Sequence, residues 1–174
     1  RPPSPPGPLR PLRAVPPASR TGGPAAYRAC ARRCHGLLCC TGGLREDLEG
    51  TGPVRVELYA ASSAPDTDCM AKLIDVWPSG FRQRLCDGMV RARFRDGMDR
   101  PAPITPGAIY HYTIDCWNTA QVFAAGHRIG LEIASSAFPK YDRHPNTAAP
   151  LGQSAYPLVA PHPTYHHAAH PSAL

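Results

Sequence analysis

The stretch VRVELYA at residues 54–60 alternates apolar and polar side chains with a period of two. In an extended chain Val56 and Leu58 face one side, while Arg55 and Glu57 face the other. Such alternation predicts a β-strand with one buried face, because an amphipathic helix would repeat its apolar positions every 3.6 residues. The fold therefore starts from a half-buried strand.

Four further stretches show the same alternation or a short apolar run, and each is bounded by turn residues: 69–76, 85–95, 109–116 and 129–133. No convincing amphipathic helix lies between them, and the 22 prolines and 15 glycines are many for a helical bundle. The sequence predicts an all-β fold, either an antiparallel β-sandwich or a jelly roll.

Two of these strands carry side chains whose direction matters for function. Arg91, Arg93 and Arg95 share one side of the stretch 85–95, and we expect a solvated arginine face rather than a ligand site. Tyr110 and Tyr112 alternate with polar residues, so we expect them to turn toward the core. A carbohydrate-binding sandwich would instead expose its aromatic rings.

The N-terminal part has a different composition from the rest. Residues 1–26 contain nine Pro and four Arg with almost no large apolar side chain, so they cannot bury enough surface to offset the entropy of ordering. We predict a disordered Pro/Arg/Cys-rich tail over residues 1–43, whose composition would also fit a shifted reading frame, and a folded domain over residues 44–174. The chain starts with Arg1, so we expect it to be part of a longer protein.

Charge argues against a nucleic-acid partner for the folded part. The formal net charge is +6, but seven of the 19 Lys and Arg residues lie in residues 1–40, which leaves 12 basic against 13 acidic residues in the remainder. A nearly neutral domain has no basic face that could follow phosphates. No apolar run reaches the roughly 18 residues of a membrane span and no signal peptide is visible, so we expect no membrane partner and a cytoplasmic location.

Seven cysteines are present, and four of them crowd near a histidine. This group has enough ligands for zinc but lacks two separated C-x2-C pairs, so we predict neither a metal site nor a disulfide framework; its members are Cys30, Cys34, His35, Cys39 and Cys40. The other three are Cys69, Cys86 and Cys116, which lie in apolar runs. We expect these three to be buried thiols.

No catalytic motif is present. Serine hydrolysis on an α/β-hydrolase needs a G-x-S-x-G elbow between a strand and a helix, and the nearest string, GQSAY at residues 152–156, lacks the second glycine. We predict no catalytic residue and no cofactor. Asp66 and Asp68 resemble the start of a calcium loop, but the residues after them supply no oxygen ligands, so we expect these carboxylates to cap a loop.

Four histidines lie close together near the C-terminus, with H-x3-H and H-x2-H spacings that would suit a metal ion on a helix; they are His162, His166, His167 and His170. Pro161, Pro163 and Pro171 interrupt the segment, so a helix is not expected. We predict surface or capping histidines there.

Several strand and loop strings carry a resemblance. They are TGPVRVEL (51–58), SSAPDTD (62–68), AKLIDV (71–76), LCDGMVRARFR (85–95), FPKYDR (138–143), PNT (145–147) and HPS (170–172). In this order they resemble the C-terminal domain of the cocaine esterase and X-Pro dipeptidyl-peptidase (CocE/NonD) family. The resemblance covers roughly residues 44–174, whereas residues 1–43 do not look like the family's linker and first strands.

The resemblance implies an antiparallel jelly-roll β-sandwich of the galactose-binding-like type, which is the non-catalytic last domain of a serine hydrolase acting on ester or amide bonds. In that family the Ser-Asp-His triad lies in an upstream α/β-hydrolase domain, so no catalytic residue carries over to this chain. The implied partner is that domain, on which the jelly roll packs. The family's closing strand after HPS is missing, so we also expect self-association. The alternative is an independent carbohydrate- or ligand-binding sandwich.

Overall fold

The computed structural model describes the backbone of residues 28–33 and residues 36–150, 152–154 and 156–174 in full. Nine strands and one short 3₁₀ turn form these parts of the chain. They are β1 Arg28–Arg33, β2 Gly36–Cys40, β3 Leu48–Ala60, β4 Asp68–Val76, β5 Arg82–Arg91, the 3₁₀ turn Ala92–Phe94, β6 Tyr110–Phe123, β7 Arg128–Ala134, β8 Thr164–His167 and β9 His170–Pro171. The described parts contain no α-helix, and none of their elements is a helix that could cross a membrane.

The strands form two antiparallel sheets. One has the order β1-β2-β7-β4-β5 and the other the order β6-β3-β8-β9. Successive strands repeatedly cross from one sheet to the other, as in a jelly roll. The predicted fold class, an all-β antiparallel β-sandwich, is confirmed.

The core lies between the two inner faces and follows the period-two pattern. Val56 and Leu58 of β3 are buried, as are Tyr112 and Ile114 of β6. The sheets approach closely at β5, where a Cβ added to Gly88 would lie 2.0 Å from the backbone oxygen of Asp115. A side chain at this position would push β5 and β6 apart.

Several strand boundaries differ from those predicted. β3 starts at Leu48 rather than near residue 54, and β6 continues to Phe123. Both extensions pair with each other across a bulge, which breaks the simple alternation that sequence reasoning follows. β5 ends at Arg91, because the chain turns into the 3₁₀ segment before residue 95.

The predicted boundary between tail and domain is too late in the chain. Gly36–Cys40 forms strand β2, which pairs with β7 and buries the side chains of Leu38 and Cys40. A stretch of five residues with two buried side chains is too short to predict a strand beside an Arg-rich segment. The strand forms because the edge of β7 supplies partners for its backbone groups. Residues 1–27, 34 and 35, on which the prediction of disorder also rests, lie outside the described residues.

Candidate functional site

A buried carboxylate organises one end of the sandwich. Asp66, in the loop before β4, is fully buried and accepts hydrogen bonds through both oxygens. Its Oδ1 accepts from the backbone N–H of Arg93 at 3.0 Å, and its Oδ2 from Arg93 Nε at 2.5 Å. His144 Nε2 lies 3.1 Å from the same Oδ2. Three donors thus converge on one carboxylate.

Arg93 extends this cluster to the segment that follows β7. Its Nη2 donates to the backbone oxygens of Thr147 and Ala149, at 3.0 and 3.1 Å. Lys140 makes a further tie through Asp87 of β5, with Nζ and Oδ2 2.6 Å apart. The segment carries little regular structure of its own, so these side chains hold it against the sheet.

Electrostatics agree with an ionised Asp66. Burial by itself would raise the pKa of this carboxyl, but the hydrogen bonds from His144 and Arg93 and the charge of Arg93 outweigh burial and leave the pKa below its ordinary value. The neighbouring Asp68 is also buried and takes a two-pronged contact from Arg91, at 2.7 and 3.1 Å. Hydrogen bonding to Asp68 raises the pKa of Arg91.

These contacts correct two predictions. The face formed by Arg91, Arg93 and Arg95 is not simply solvated: Arg93 is buried, Arg91 is paired with Asp68, and the Arg95 guanidinium lies 4.5 Å from the centre of the Tyr110 ring. Asp66, in the loop before β4, and Asp68, the first residue of β4, are both ion-pair partners of arginines. Strand periodicity applies only as far as Arg91, because β5 ends there and the 3₁₀ turn follows, and it carried no information on the segment that covers Arg93.

The Asp66–His144 pair resembles two members of a catalytic triad. The hydrogen bond of the second ring nitrogen of His144, Nδ1, decides whether this histidine could act as a base. His144 Nδ1 accepts a hydrogen bond from the backbone N–H of Asn146 at 3.0 Å, which places the ring proton on Nε2, toward Asp66. No lone pair remains to deprotonate a nucleophile. The pair therefore acts as a structural clamp.

Two serine hydroxyls, those of Ser62 and Ser154, make local contacts. The Ser62 oxygen accepts from the backbone N–H of Ala64 at 3.0 Å, and the exposed Ser154 hydroxyl lies 3.4 Å from the backbone oxygen of Tyr156. Each is engaged with its own loop. That this chain contributes no catalytic residue stays a prediction.

A second aspartate–histidine pair lies at the far end of β4. Asp75 is buried, and both of its carboxylate oxygens lie 2.9 Å from His127 Nδ1. The His127 ring packs on Trp77 with centroids 5.0 Å apart, and Trp77 in turn meets Phe81 edge-on. This cluster joins the β4–β5 turn to the β6–β7 turn.

The cysteines are placed much as expected where they are described. Cys69 and Cys116 are buried, and burial is the main reason that the pKa of each thiol rises to about 12. Cys86 is half-buried, and its pKa is raised by the same cause. Cys30, Cys34 and His35 of the proposed ligand group lie outside the side chains that the structure describes.

The four C-terminal histidines occupy the short β8–β9 hairpin and the approach to it. His162 Nε2 lies 3.4 Å from the Thr67 hydroxyl, and His166 Nδ1 lies 2.8 Å from the backbone oxygen of Ser172. His167 and His170 face each other across the hairpin. Within the described residues, no three His, Cys, Asp or Glu side chains are grouped so that they could hold a metal ion.

A cavity of about 1130 Å³ opens between the sheets beside this segment. Leu58, Tyr112 and Ile133 line it from the sheets, and Leu158 and His162 line it from the chain that leads to β8. Burial lowers the pKa of His162, and its Nδ1 has no hydrogen-bond partner among the described residues. The cavity is large enough for a small ligand.

Comparisons with known proteins agree with this architecture. The family described as the X-Pro dipeptidyl-peptidase C-terminal non-catalytic domain matches residues 7–174. The match therefore starts well before residue 44, inside the segment that we expected to be unlike the family.

Among curated relatives, the cocaine esterase of Rhodococcus sp. (strain MB1 Bresler) is 44% identical over 131 residues, which are 75% of this chain and 23% of that protein. A putative Xaa-Pro dipeptidyl-peptidase of Rhodopirellula baltica is 27% identical over 123 residues, 67% of this chain and 20% of that protein.

Solved structures show the same relationship. An aminopeptidase from the marine sediment archaeon Thaumarchaeota archaeon superposes with a TM-score of 0.77 at 32% identity, over 82% of this chain and 25% of its own. An alpha-amino acid ester hydrolase gives 0.76 at 29% identity, over 80% and 25%. The chain spans about a quarter of the length of these relatives, and it belongs to the family of X-Pro dipeptidyl-peptidase C-terminal non-catalytic domains.

Proposed function

We propose that this domain packs on an α/β-hydrolase domain of the same longer protein and shapes its substrate cleft. The observation that carries the proposal is that the matched relatives are named for ester or peptide hydrolysis and that the matched part makes up only about a quarter of each. A sandwich laid against a catalytic domain can wall one side of the cleft and exclude water from it. The reaction we propose for the whole protein is hydrolysis of ester or amide bonds, including X-Pro peptides.

A domain exchange tests this role. The matching segment of the Rhodococcus cocaine esterase is replaced by this chain, and hydrolysis of a p-nitrophenyl ester is compared with that of the esterase from which the segment is deleted. We expect the chimera to hydrolyse the ester at least about ten times faster than the deleted esterase, because the exchange restores the wall of the cleft. A folded but inactive chimera beside an active deletion would overturn the proposal. The isolated chain should show no turnover.

Trp117 is our candidate for the surface that meets the catalytic domain. It is 75% exposed and lies at the β3–β6 bulge with a φ of 67°, while its backbone N–H donates to Asp115 Oδ1 at 2.8 Å. A left-handed backbone at a bulky residue costs about 1–3 kcal/mol, and exposed tryptophans often anchor interfaces. In the chimera, Trp117→Ser should lower thermal stability and activity together, whereas the matched change at exposed Val122 should not.

We also propose that the isolated chain self-associates through the edge of β3. On the side away from β6, β3 is paired at Glu57, Tyr59 and Ala60, while residues 48–56 have no strand partner among the described residues. The backbone groups of Glu57 bond Ala173 on this side, so those of Arg55 point the same way. Pro53 lacks an N–H and blunts the edge in part.

Light scattering over a range of concentrations tests the edge. Arg55→Pro removes the outward N–H without touching the β6 ladder, so it should shift the chain toward monomer, whereas Arg55→Ala should not. Equal association of the two variants would place the contact elsewhere.

The alternative function is an independent ligand-binding sandwich, and the cavity beside His162 favours it. If the cavity binds neutral sugars, they should raise the Tm of the isolated chain, and His162→Leu should abolish the rise. An unchanged Tm would leave the accessory role.

A further inference from the structure

The β8–β9 hairpin brings two imidazoles together at the surface. His167 and His170 form the strand pair that flanks a two-residue turn of Ala168 and Ala169. His167 Nε2 and His170 Nδ1 lie 3.4 Å apart, and the ring planes are nearly perpendicular, at 83°. The H-x2-H spacing would suit one face of a helix, but here a tight hairpin places the two rings opposite each other.

Neighbouring rings hold this pair in place. The His170 ring packs edge-on against Tyr59 with centroids 5.4 Å apart, and Tyr165 lies 5.9 Å from His170 and 6.1 Å from His167. The Ser172 hydroxyl ties the hairpin to β3: it donates to the Tyr165 backbone oxygen at 2.6 Å and accepts from the Tyr59 N–H at 2.9 Å. The two nitrogens are therefore preorganised.

We propose that His167 Nε2 and His170 Nδ1 form a two-histidine chelate for a late first-row divalent ion, with Cu²⁺ bound most tightly. Two imidazole nitrogens at about 2.0–2.1 Å from one ion lie about 3.4 Å apart when the ion is tetrahedral, as Zn²⁺ is in proteins, so Zn²⁺ needs little movement of the rings. In neighbouring positions of the tetragonal arrangement that Cu²⁺ prefers they lie about 2.9 Å apart, so binding of Cu²⁺ draws the two nitrogens together by about 0.5 Å. The separation of 3.4 Å in the structure is long for a hydrogen bond, which means that the ion replaces a weak contact.

The chemistry of the site sets its selectivity. Imidazole suits Cu²⁺, Ni²⁺ and Zn²⁺, and affinity rises toward Cu²⁺ in this series. Hard ions such as Mg²⁺ and Ca²⁺ prefer oxygen ligands and should not compete. Because the described residues bring no third His, Cys, Asp or Glu side chain to the pair, water would fill the remaining positions.

The experiment uses the full chain, freed of metal and alkylated at its accessible thiols so that cysteines cannot compete. Cu²⁺ alone is titrated by calorimetry, and electron paramagnetic resonance reports the nitrogens bound to it. We expect one equivalent with two imidazole nitrogens. His170→Gln and His167→Gln should each weaken binding by about tenfold or more.

His166→Gln is the matched control, since His166 lies in the same hairpin but turns to the Ser172 backbone oxygen. Its affinity for Cu²⁺ should equal that of the unaltered chain. Binding that is unchanged in His170→Gln, or lowered equally by all three variants, would overturn the proposal. Far-ultraviolet circular dichroism and Tm, matched between His166→Gln and His170→Gln, separate loss of a ligand from loss of the hairpin.

Discussion

The two ends of β4 each bury an aspartate against a histidine, yet they solve the burial of charge differently. Asp66 is held by a guanidinium, a backbone N–H and His144, whereas the described contacts of the Asp75 carboxylate come from His127. A buried charge is tolerated when several donors meet it. The difference teaches that the end with the long irregular segment carries the redundant network, while the end with two short turns relies on one imidazole and on aromatic packing.

The largest effect should come from Arg93→Leu. This change leaves Asp66 buried without its charged partner and frees the backbone oxygens of Thr147 and Ala149. Breaking a buried ion pair costs about 3–5 kcal/mol, so Tm should fall by roughly 10 °C or more. The matched control on the adjoining strand is Arg84→Leu, where the side chain is 57% exposed and 3.8 Å from Asp87. Its cost should stay within about 0.5 kcal/mol, and equal losses in urea unfolding would contradict the buried network.

The next effect compares the histidines directly. His127→Leu removes the described partner of Asp75, and we expect a loss of about 3 kcal/mol. His144→Leu leaves Asp66 bonded to Arg93, so about 1–2 kcal/mol should be lost. Chemical unfolding of both variants measures the order. A greater loss of unfolding free energy in His144→Leu would show that packing of the segment after β7, rather than burial of charge, sets the cost of these substitutions.

A smaller effect concerns acid. The pKa of Asp66 is lower in the folded chain than in the unfolded one, so the unfolded state binds the proton first as pH falls. The stabilisation is complete above the ordinary pKa of an aspartate and is lost as pH falls through the folded value. Asp66→Asn should therefore lower the free energy of unfolding at neutral pH. Between about pH 5 and 3, the free energy of unfolding of this variant should change less with pH than that of the unaltered chain. Urea unfolding of both proteins over this pH range measures the difference, and parallel profiles would exclude a contribution of Asp66 ionisation to stability.

The smallest effect is a labelling rate. The buried thiol of Cys69 follows Asp68 directly, and its pKa of about 12, raised by burial and by the charges of Asp68 and Asp66, keeps it unreactive at neutral pH. Labelling then reports opening of the Asp66 end of β4. Arg93→Leu should speed modification of Cys69, mapped by mass spectrometry, more than His127→Leu does. Equal acceleration would mean that the two ends open together.

Sequence alone determined the sandwich and its inward-facing residues. The alternation at residues 54–60 put Val56 and Leu58 in the core, and the corresponding pattern turned Tyr112 inward, because a strand with one buried face exposes its period directly. The family also followed from the sequence, through the strings that carried the resemblance. These strings include Asp66, Asp68, Arg91 and Arg93, but they did not show that the aspartates and arginines form ion pairs.

Tertiary structure decided how the long-range partners meet. Arg93 and His144 are 51 positions apart in the chain and meet on Asp66 through a loop without periodic signal, so neither strand pattern nor charge count predicted a buried network where a solvated face was expected. Strand β2 was missed for a related reason: its five residues are stabilised by the waiting edge of β7 rather than by their own propensity. Local alternation fixes which way a side chain points, whereas what covers it depends on contacts between distant segments.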